Sequence, residues 1–203
     1  MQINIDKKTG VFLAVITLLL AAIVSLSINR GDNDGFMGMG RHNSSMHDNG
    51  MGHYTGADTM FLQMMIPHHQ QAVDISNLAL KTSKDAELLA LAKTIRDAQT
   101  SEIAQMKIWL NDAGAGLDVG HSMDGMGGML NGAELSALNA ETGTKFDILW
   151  LKGMIGHHDG AIHMTTMIRD AQNSDIKTFG ENVVKDQSAQ ITQMKAMLKR
   201  LGN

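Results

Sequence analysis

The sequence predicts an all-α protein, and three observations support this fold class. Its long runs of mixed polar and apolar residues lack the β-branched pattern of strands. The 203-residue chain holds one proline and few aromatic residues, 4% in all. One helical hairpin also recurs later in the chain, as an internal repeat. Together these observations predict an antiparallel four-helix bundle built from a duplicated hairpin, preceded by an N-terminal apolar helix.

The chain begins with a segment, residues 1–30, that has the pattern of an export signal. Two lysines precede an uncharged, mostly apolar run of 18 residues at positions 11–28, and two aspartates follow it. At about 1.5 Å per residue the run barely crosses a hydrocarbon core, and the charges favour an exported body. Two alternatives stay open, a signal peptide cleaved near Ser27 and an uncleaved single-pass membrane anchor. Both predict a location in the periplasm or on the outer face of the bacterial inner membrane.

Two segments are predicted to be flexible. Residues 31–57 form a linker rich in glycine, asparagine, aspartate and serine, which cannot bury a core. A second glycine-rich loop lies at 115–131. Both carry methionines and histidines, and in the linker these have no aliphatic companions. We interpret the two segments as metal-collecting, whereas the alternative is a plain tether whose apolar residues are incidental.

The first hairpin is defined by helix caps. Its first helix is expected to begin at an N-cap on Asp58 and to run to about Lys81. Its second helix is expected to follow a cap at Thr82 or Ser83 and to stop at Gly114.

The second hairpin follows a short helix expected at 132–140 and capped by Asn131. The third long helix is expected to open at Thr144 and to reach about Gln172. A turn at Asn173 or Ser174 then begins a fourth helix, which continues to the end of the chain.

The repeat divides the predicted bundle, residues 58–203, into hairpins at 58–114 and 144–202. One set of residues recurs at a spacing of 89: Asp58, Leu62, Met65, Ile66, His68, His69 and Ala72 match Asp147, Leu151, Met154, Ile155, His157, His158 and Ala161. A second set recurs at a spacing of 88: Gln99, Ile103, Gln105, Met106, Lys107, Leu110 and Gly114 match Gln187, Ile191, Gln193, Met194, Lys195, Leu198 and Gly202. Two hairpins can cover each other's apolar stripes, with the histidine-bearing helices related by an approximate two-fold axis. Whether the four histidines form one central site or two separate sites is open at this point.

A methionine followed by two adjacent histidines is the chemical core of each repeat. Because positions i, i+3 and i+4 share one face of a helix, the thioether and both imidazoles lie on one stripe. Neutral sulfur and nitrogen donors suit Cu(I) and poorly suit Mg²⁺ or Ca²⁺. The chain has 17 methionines and no cysteine, a choice that fits an oxidising compartment, where a thiol would be lost to oxidation.

The predicted metal ligands fall into four groups. The imidazoles are His68, His69, His157 and His158, and the thioethers on the same faces are Met65, Met154 and Met164. His163 is assigned to a rim site, and Met106 and Met194 reach inward from the other two helices. Copper is the expected ion, as Cu(I), with Ag(I) as a second candidate. The structural alternative is that the methionines fill the core and the histidines form hydrogen bonds within it.

Several other functions are disfavoured. The net charge of −4 and the absence of a basic block argue against a nucleic-acid partner. A ferritin-like dimetal oxidase needs Glu-x-x-His motifs, and no glutamate here has histidine three residues on. A blue-copper site needs a cysteine thiolate. We therefore expect no enzyme. The alternatives to copper binding are a membrane-tethered interaction module with incidental histidines and a ferritin-like metal-dependent oxidase.

The two Met-Ile-x-His-His-x-x-Ala motifs, at 65–72 and 154–161, resemble an exported bacterial family called domain of unknown function three hundred and five. The pattern Gln-x-x-Glu-Ile-x-x-Met at 99–106 resembles it too. This family includes CopM-type periplasmic copper-binding proteins, so the resemblance implies a ferritin-like fold, copper binding and copper tolerance. Other exported copper-handling proteins are then candidate partners. The second copy departs from the pattern at Gln190, where the first copy has Glu102.

Overall fold

The described part of the chain is built from five α-helices. The computed structural model describes residues 54–117 and 126–202, and no strand occurs among them. The helices are α1 (Gly56–Thr82), α2 (Ala86–Asp112), α3 (Gly132–Ala140), α4 (Gly143–Met164) and α5 (Ser174–Arg200). Short 3-10 turns occur at Met126–Gly128 and Thr165–Ile168. The all-α class is therefore confirmed.

The predicted N-terminal helix lies outside the described residues, as does the linker up to residue 53. Of the helices in residues 54–117 and 126–202, none combines the length and apolar character needed to cross a bilayer.

Local side-chain caps begin both helices of the first hairpin at residues other than those predicted. The N-cap of α1 is Thr55 and not Asp58, because Asp58 is the third residue of a capping box: its carboxylate accepts the Thr55 amide hydrogen at 2.7 Å. The N-cap of α2 is Asp85, whose carboxylate accepts from the amides of Glu87 and Leu88. The predicted starts at Asp58 and at Thr82 or Ser83 were thus displaced by a few residues.

The other boundaries agree with the sequence except at the end of α4. Asn131 and Asn173 cap α3 and α5, and Gly114 follows α2 with a φ of 66°. The third long helix was expected to reach about Gln172, but α4 ends at Met164. The hydroxyls of Thr165 and Thr166 donate to carbonyl oxygens three residues back, a local hydrogen-bonding pattern that accompanies the change to a 3-10 turn.

Two apolar clusters hold the long helices together. The Trp150 cluster contains buried side chains of α1, α2, α4 and α5, represented by Ile75, Ile95, Trp150 and Ile191. The Phe61 cluster again draws on all four, represented by Phe61, Ile103, Met164 and Phe179. Burial of these side chains in two shared clusters agrees with the predicted four-helix bundle.

The order in which the residues of each helix enter the two clusters gives the direction of that helix in the bundle. Along the chain, α1 and α5 run from the Phe61 cluster to the Trp150 cluster, whereas α2 and α4 run the opposite way. The helix pairs in extensive contact, α1 with α2, α1 with α4 and α4 with α5, are therefore antiparallel. Because α2 and α4 run in the same direction, their connection must cross the length of the helices. A single long crossover is the ferritin-like form of a four-helix bundle.

Large exposed apolar side chains are few in residues 54–117 and 126–202. They are spread along the chain on different elements: Met60, Ile108, Leu117, Leu149 and Val184. Scattered apolar side chains are normal on a protein surface. The apolar face that an interaction module would need is therefore not evident in this part of the chain.

Candidate metal centre

Four histidines lie buried between the two apolar clusters. His68 and His69 come from α1, His157 and His158 come from α4, and all four are 0% exposed. The rings of His68 and His157 face each other with centroids 3.8 Å apart and planes inclined by 38°. Within each pair the ring centroids are 6.3 Å apart. The two repeats thus meet at one histidine from each, with a second histidine flanking it. We call this set the histidine layer.

The flanking histidines are held by the other two long helices. The Nε2 atom of His69 lies 2.8 Å from the Oε2 atom of Glu102 on α2. The Nε2 atom of His158 lies 2.6 Å from the Oε1 atom of Gln190 on α5. Glu102 and Gln190 are matching positions of the repeat, so each hairpin supplies its own acceptor.

The two central histidines use backbone acceptors. The Nε2 atom of His157 lies 2.9 Å from the carbonyl oxygen of His68. The Nε2 atom of His68 does not repeat this contact and lies 2.8 Å from the carbonyl oxygen of Gly127, in the crossover connection.

These partners determine which ring nitrogen carries the proton. Carbonyl and carboxylate oxygens have no hydrogen to give, so each Nε2–H donates. Each Nδ1 is buried and has no hydrogen-bond partner in residues 54–117 and 126–202. Burial lowers the pKa of His68 to about 4 and that of His158 to about 4. Burial, followed by the nearby His68, also lowers the pKa of His157 well below its ordinary value. These three rings are therefore neutral at pH 7, and each Nδ1 presents a lone pair.

The predicted sulfur donors lie on both sides of the histidine layer. Met65, Met106 and Met164 are buried in the Phe61 cluster, and Met154 and Met194 are buried in the Trp150 cluster. Their burial fits the core-packing alternative as well as a supply of thioethers from both sides. His163 is exposed and does not join the buried histidines.

One sulfur atom comes close to the histidine layer at Gly127. A Cβ placed on Gly127 would lie 2.8 Å from the Sδ atom of Met164 and 3.5 Å from the Nε2 atom of His68. Met164 and His68 therefore flank the same backbone position. The sequence did not predict this meeting point, because Gly127 belongs to a loop whose path depends on the packing of the bundle.

The polar surroundings contain further atoms that the sequence did not single out. The Oε1 atoms of Gln99 and Gln187, another matching pair of the repeat, are buried without a partner in the described residues. Gln71 bonds both backbone groups of Leu130 in the crossover. The repeat positions of Gln99 and Gln187 were visible in the sequence, but the lack of a partner for their oxygens was not.

The donor set favours a soft ion over a hard one. Within residues 54–117 and 126–202, no three side chains of histidine, cysteine, aspartate or glutamate are arranged to hold one metal ion together. The available donors are neutral imidazoles with thioethers nearby. This set fits Cu(I) or Ag(I), which bind soft neutral ligands, and does not fit Mg²⁺ or Ca²⁺, which require several oxygens.

Several known proteins have a similar fold and a related sequence. Residues 58–198 match the model of a family described as a domain of unknown function, DUF305. A DUF305 crystal structure from Streptomyces coelicolor, described as a candidate secreted protein, is 28% identical, with a TM-score of 0.68 over 72% of this chain and 94% of that one. A DUF305 fragment from Deinococcus radiodurans is 29% identical, with a TM-score of 0.68 over 72% and 97%.

CopM is a further structural relative. Its Cu(I)-bound form is 29% identical, with a TM-score of 0.61 over 73% of this chain and 98% of that one. CopM is also known in Cu(II)-bound and Ag-bound forms. Among curated proteins, none matches this sequence. Since the family model covers residues 58–198, more than half of the chain, the protein belongs to the DUF305 family.

Proposed function

We propose that this protein is an exported copper-binding protein that sequesters or transfers Cu(I) and so contributes to copper tolerance. The observation that carries the proposal is the histidine layer, in which four buried Nδ1 atoms have no hydrogen-bond partner among the described residues. Buried polar atoms are normally paired, because leaving one unpaired costs about 1–3 kcal/mol. A soft cation bound to the lone pairs would remove that cost.

In this proposal the histidines bind the ion through Nδ1. Metal-binding histidines commonly donate their other ring N–H to a carboxylate or a carbonyl, which fixes the ring and the tautomer. Each of the four Nε2 atoms has such an oxygen acceptor. Each ring in the histidine layer therefore has the kind of hydrogen bond that commonly orients a metal-binding histidine.

Thioethers complete the proposed ligand set. Met164 is one candidate; its Sδ atom lies at Gly127 on the Nε2 side of His68, so its side chain would have to reorient to reach an ion on Nδ1. Met65 and Met154, on the helices that carry the histidines, are further candidates. Met106 and Met194, on α2 and α5, complete the set of candidate thioethers. His163, which is exposed, would serve only a separate surface site.

The relatives support the choice of ion. CopM binds Cu(I), Cu(II) and Ag in its solved forms, and it is 27–30% identical to this chain over at least 70% of the chain. Ag(I) resembles Cu(I) in its preference for soft donors, so we propose it as a second ion. We propose no catalytic activity.

Export and membrane attachment extend the proposal to the segments before residue 54. The apolar run at 11–28 would direct the chain out of the cytoplasm, as a cleaved signal peptide or as an anchor. The methionines and histidines of the linker would collect ions and pass them to the histidine layer. A second exported copper-handling protein would be the donor or the recipient.

The test is a competition between the purified protein and a coloured Cu(I) chelator at pH 7, without oxygen. The double variant His157→Ala/His158→Ala should bind fewer ions while its helical circular dichroism stays intact. His163→Ala removes an exposed histidine and is the matched control, which should leave binding to the histidine layer unchanged. A double variant that binds as many ions as the wild type would contradict the proposal. Loss of helicity would instead assign the pair a structural role.

A further inference from the structure

Part of the crossover connection contacts the histidine layer. Residues 127–130, which we call the strap, contact α1 at His68 and Gln71 and α4 at Gly153, Gly156 and Gly160. The carbonyl oxygen of Gly127 is the acceptor for His68, and Met164 lies beside it. The strap therefore contacts both histidine-bearing helices.

Backbone packing holds the strap against α4. A Cβ on Gly160 would overlap the carbonyl oxygen of Gly127, and a Cβ on Gly128 would overlap the carbonyl oxygen of Gly156. Gly128 also has a φ of 77°, which disfavours other residues. By contrast, a Cβ on Gly156 itself would meet nothing within 4 Å. Close approach at the strap thus depends on Gly160 and not on Gly156.

Hydrogen bonds hold the strap against α1. The Gln71 side chain donates to the carbonyl oxygen of Leu130 at 2.9 Å and accepts from its amide at 2.7 Å. Gln71 and Gly160 are matching positions of the repeat, 89 residues apart. In the first repeat the Gln71 side chain binds the strap through two hydrogen bonds. In the second repeat Gly160, which has no side chain, lets the strap backbone approach α4.

We propose that the strap is a positioning element for His68 and slows exchange of the bound ion. This inference rests on the proposed copper-binding function. The acceptor for His157 is a carbonyl inside α1, whereas the acceptor for His68 lies in the connection outside the four long helices. With the strap in place, the Nε2 atom of His68 keeps its proton, and the Nδ1 atom keeps its lone pair. The strap also packs at Gly127 against the sulfur of Met164.

A matched pair of glycine substitutions tests this role. Gly160→Ala should push the strap away, because the new methyl group would occupy the position of the Gly127 carbonyl. Gly156→Ala adds the same methyl group one turn earlier on α4 with no clash, and both substitutions raise helix propensity equally. Nitrogen-15 NMR of His68 reports which ring nitrogen is protonated. Gly160→Ala should replace the single Nε2–H tautomer by a mixture, and Gly156→Ala should not.

Metal binding provides the second readout. Loss of a partner that orients a metal-binding histidine commonly weakens affinity about 10-fold to 100-fold. Gly160→Ala should therefore lower Cu(I) affinity about tenfold and speed the removal of Cu(I) by a chelator. Gly156→Ala should match the wild type in both measurements.

A second pair of variants tests the contacts of the strap with α1. This pair tests the positioning role of the strap if Gly160→Ala disturbs folding. Gln71→Ala removes both hydrogen bonds to Leu130 and should shift the His68 tautomer and Cu(I) exchange in the same direction. Gln70→Ala is its control, because Gln70 is exposed and bonds only to Asp74 in the described residues.

The outcomes separate this inference from the proposed function. If folded Gly160→Ala and Gln71→Ala proteins keep the wild-type His68 tautomer and Cu(I) exchange rate, the strap has no positioning role. If the tautomer shifts but the Cu(I) affinity and the exchange rate do not, the positioning of His68 does not control the ion and the inference is wrong. If the wild type binds no Cu(I), the proposed function fails, and the inference about exchange fails with it.

Discussion

The two histidine pairs are copies in sequence but not in surroundings. His68 and His69 on α1 match His157 and His158 on α4, and all four rings are buried. In the first pair the acceptors are a strap carbonyl and the Glu102 carboxylate. In the second pair they are a helix carbonyl and the neutral Gln190 amide. The repeat places the imidazoles alike, whereas the groups that orient them differ.

The difference has a chemical consequence. A hydrogen bond to a carboxylate is stronger than one to a neutral amide and makes the imidazole a more basic ligand. The first pair should therefore hold a cation more firmly than the second. The comparison predicts two unequal half-sites in place of a symmetric centre.

The largest expected effect is acid destabilisation of the metal-free protein, since it acts on both pairs. The folded pKa of His68 and of His158 is about 4, whereas an unfolded histidine titrates near 6.5. Between these values the unfolded chain binds more protons, so the free energy of unfolding should fall as pH drops from about 6.5 to about 4. Each pKa unit corresponds to about 1.4 kcal/mol. Urea unfolding followed by circular dichroism at several pH values measures the fall.

Two variants sharpen the acid test. His158→Gln should flatten the pH dependence, because it removes one buried titrating ring, whereas His163→Ala should leave it unchanged because His163 is exposed. A wild-type protein that is equally stable at pH 7 and pH 4.5 would show that the rings are not buried in neutral form.

The low pKa values also mean that Cu(I) affinity should stay nearly constant down to about pH 5 and then decline, a lower range than ordinary histidines would give.

The next effect concerns matching aromatic residues in the two apolar clusters. Trp150 and Phe61 occupy equivalent repeat positions and both are fully buried, but only Trp150 donates a hydrogen bond, at 3.0 Å to the carbonyl oxygen of Ile75. Trp150→Phe should lower the free energy of unfolding by about 2 kcal/mol, because it leaves a cavity and removes one hydrogen bond to the Ile75 carbonyl. Trp109→Phe is the control and should cost less, since Trp109 is only partly buried. Thermal unfolding compares them, and equal losses would argue against the hydrogen bond.

A smaller effect is expected from exchanging the two side-chain acceptors. Glu102→Gln makes the first pair resemble the second, and it should lower Cu(I) affinity by about tenfold, or about 1.4 kcal/mol. The reciprocal Gln190→Glu should raise the affinity of the second pair. Chelator competition measures both affinities. If both variants bind as the wild type does, the acceptors do not account for any inequality between the half-sites.

The sequence predicted the elements of this comparison better than the contacts between them. Periodicity and the repeat were enough for the four long helices and the inward-facing histidines, because these depend on local patterns. They did not predict the approach of Gly127 to His68, since it joins residues 59 positions apart through a crossover of low hydrophobic content. The distribution of methionines between two clusters likewise depends on helix directions. The starts of α1 and α2 were misplaced because several nearby residues can each act as an N-cap. The sequence alone does not show that Thr55 and Asp85 make the capping hydrogen bonds.

The smallest expected effect compares the starts of α1 and α4. Thr55 caps α1 in a reciprocal box with Asp58, whereas Thr142 at the start of α4 makes no capping hydrogen bond through its side chain. Thr55→Ala should therefore lower the free energy of unfolding by about 1 kcal/mol, and Thr142→Ala should change it by less than about 0.5 kcal/mol. Urea unfolding at pH 7.5, where His68, His157 and His158 stay neutral because their pKa values are lowered, isolates the caps from the acid effect. Equal losses in the two variants would mean that the capping box at α1 contributes no more than an ordinary surface threonine, and that the repeats differ around their histidines but not at their helix starts.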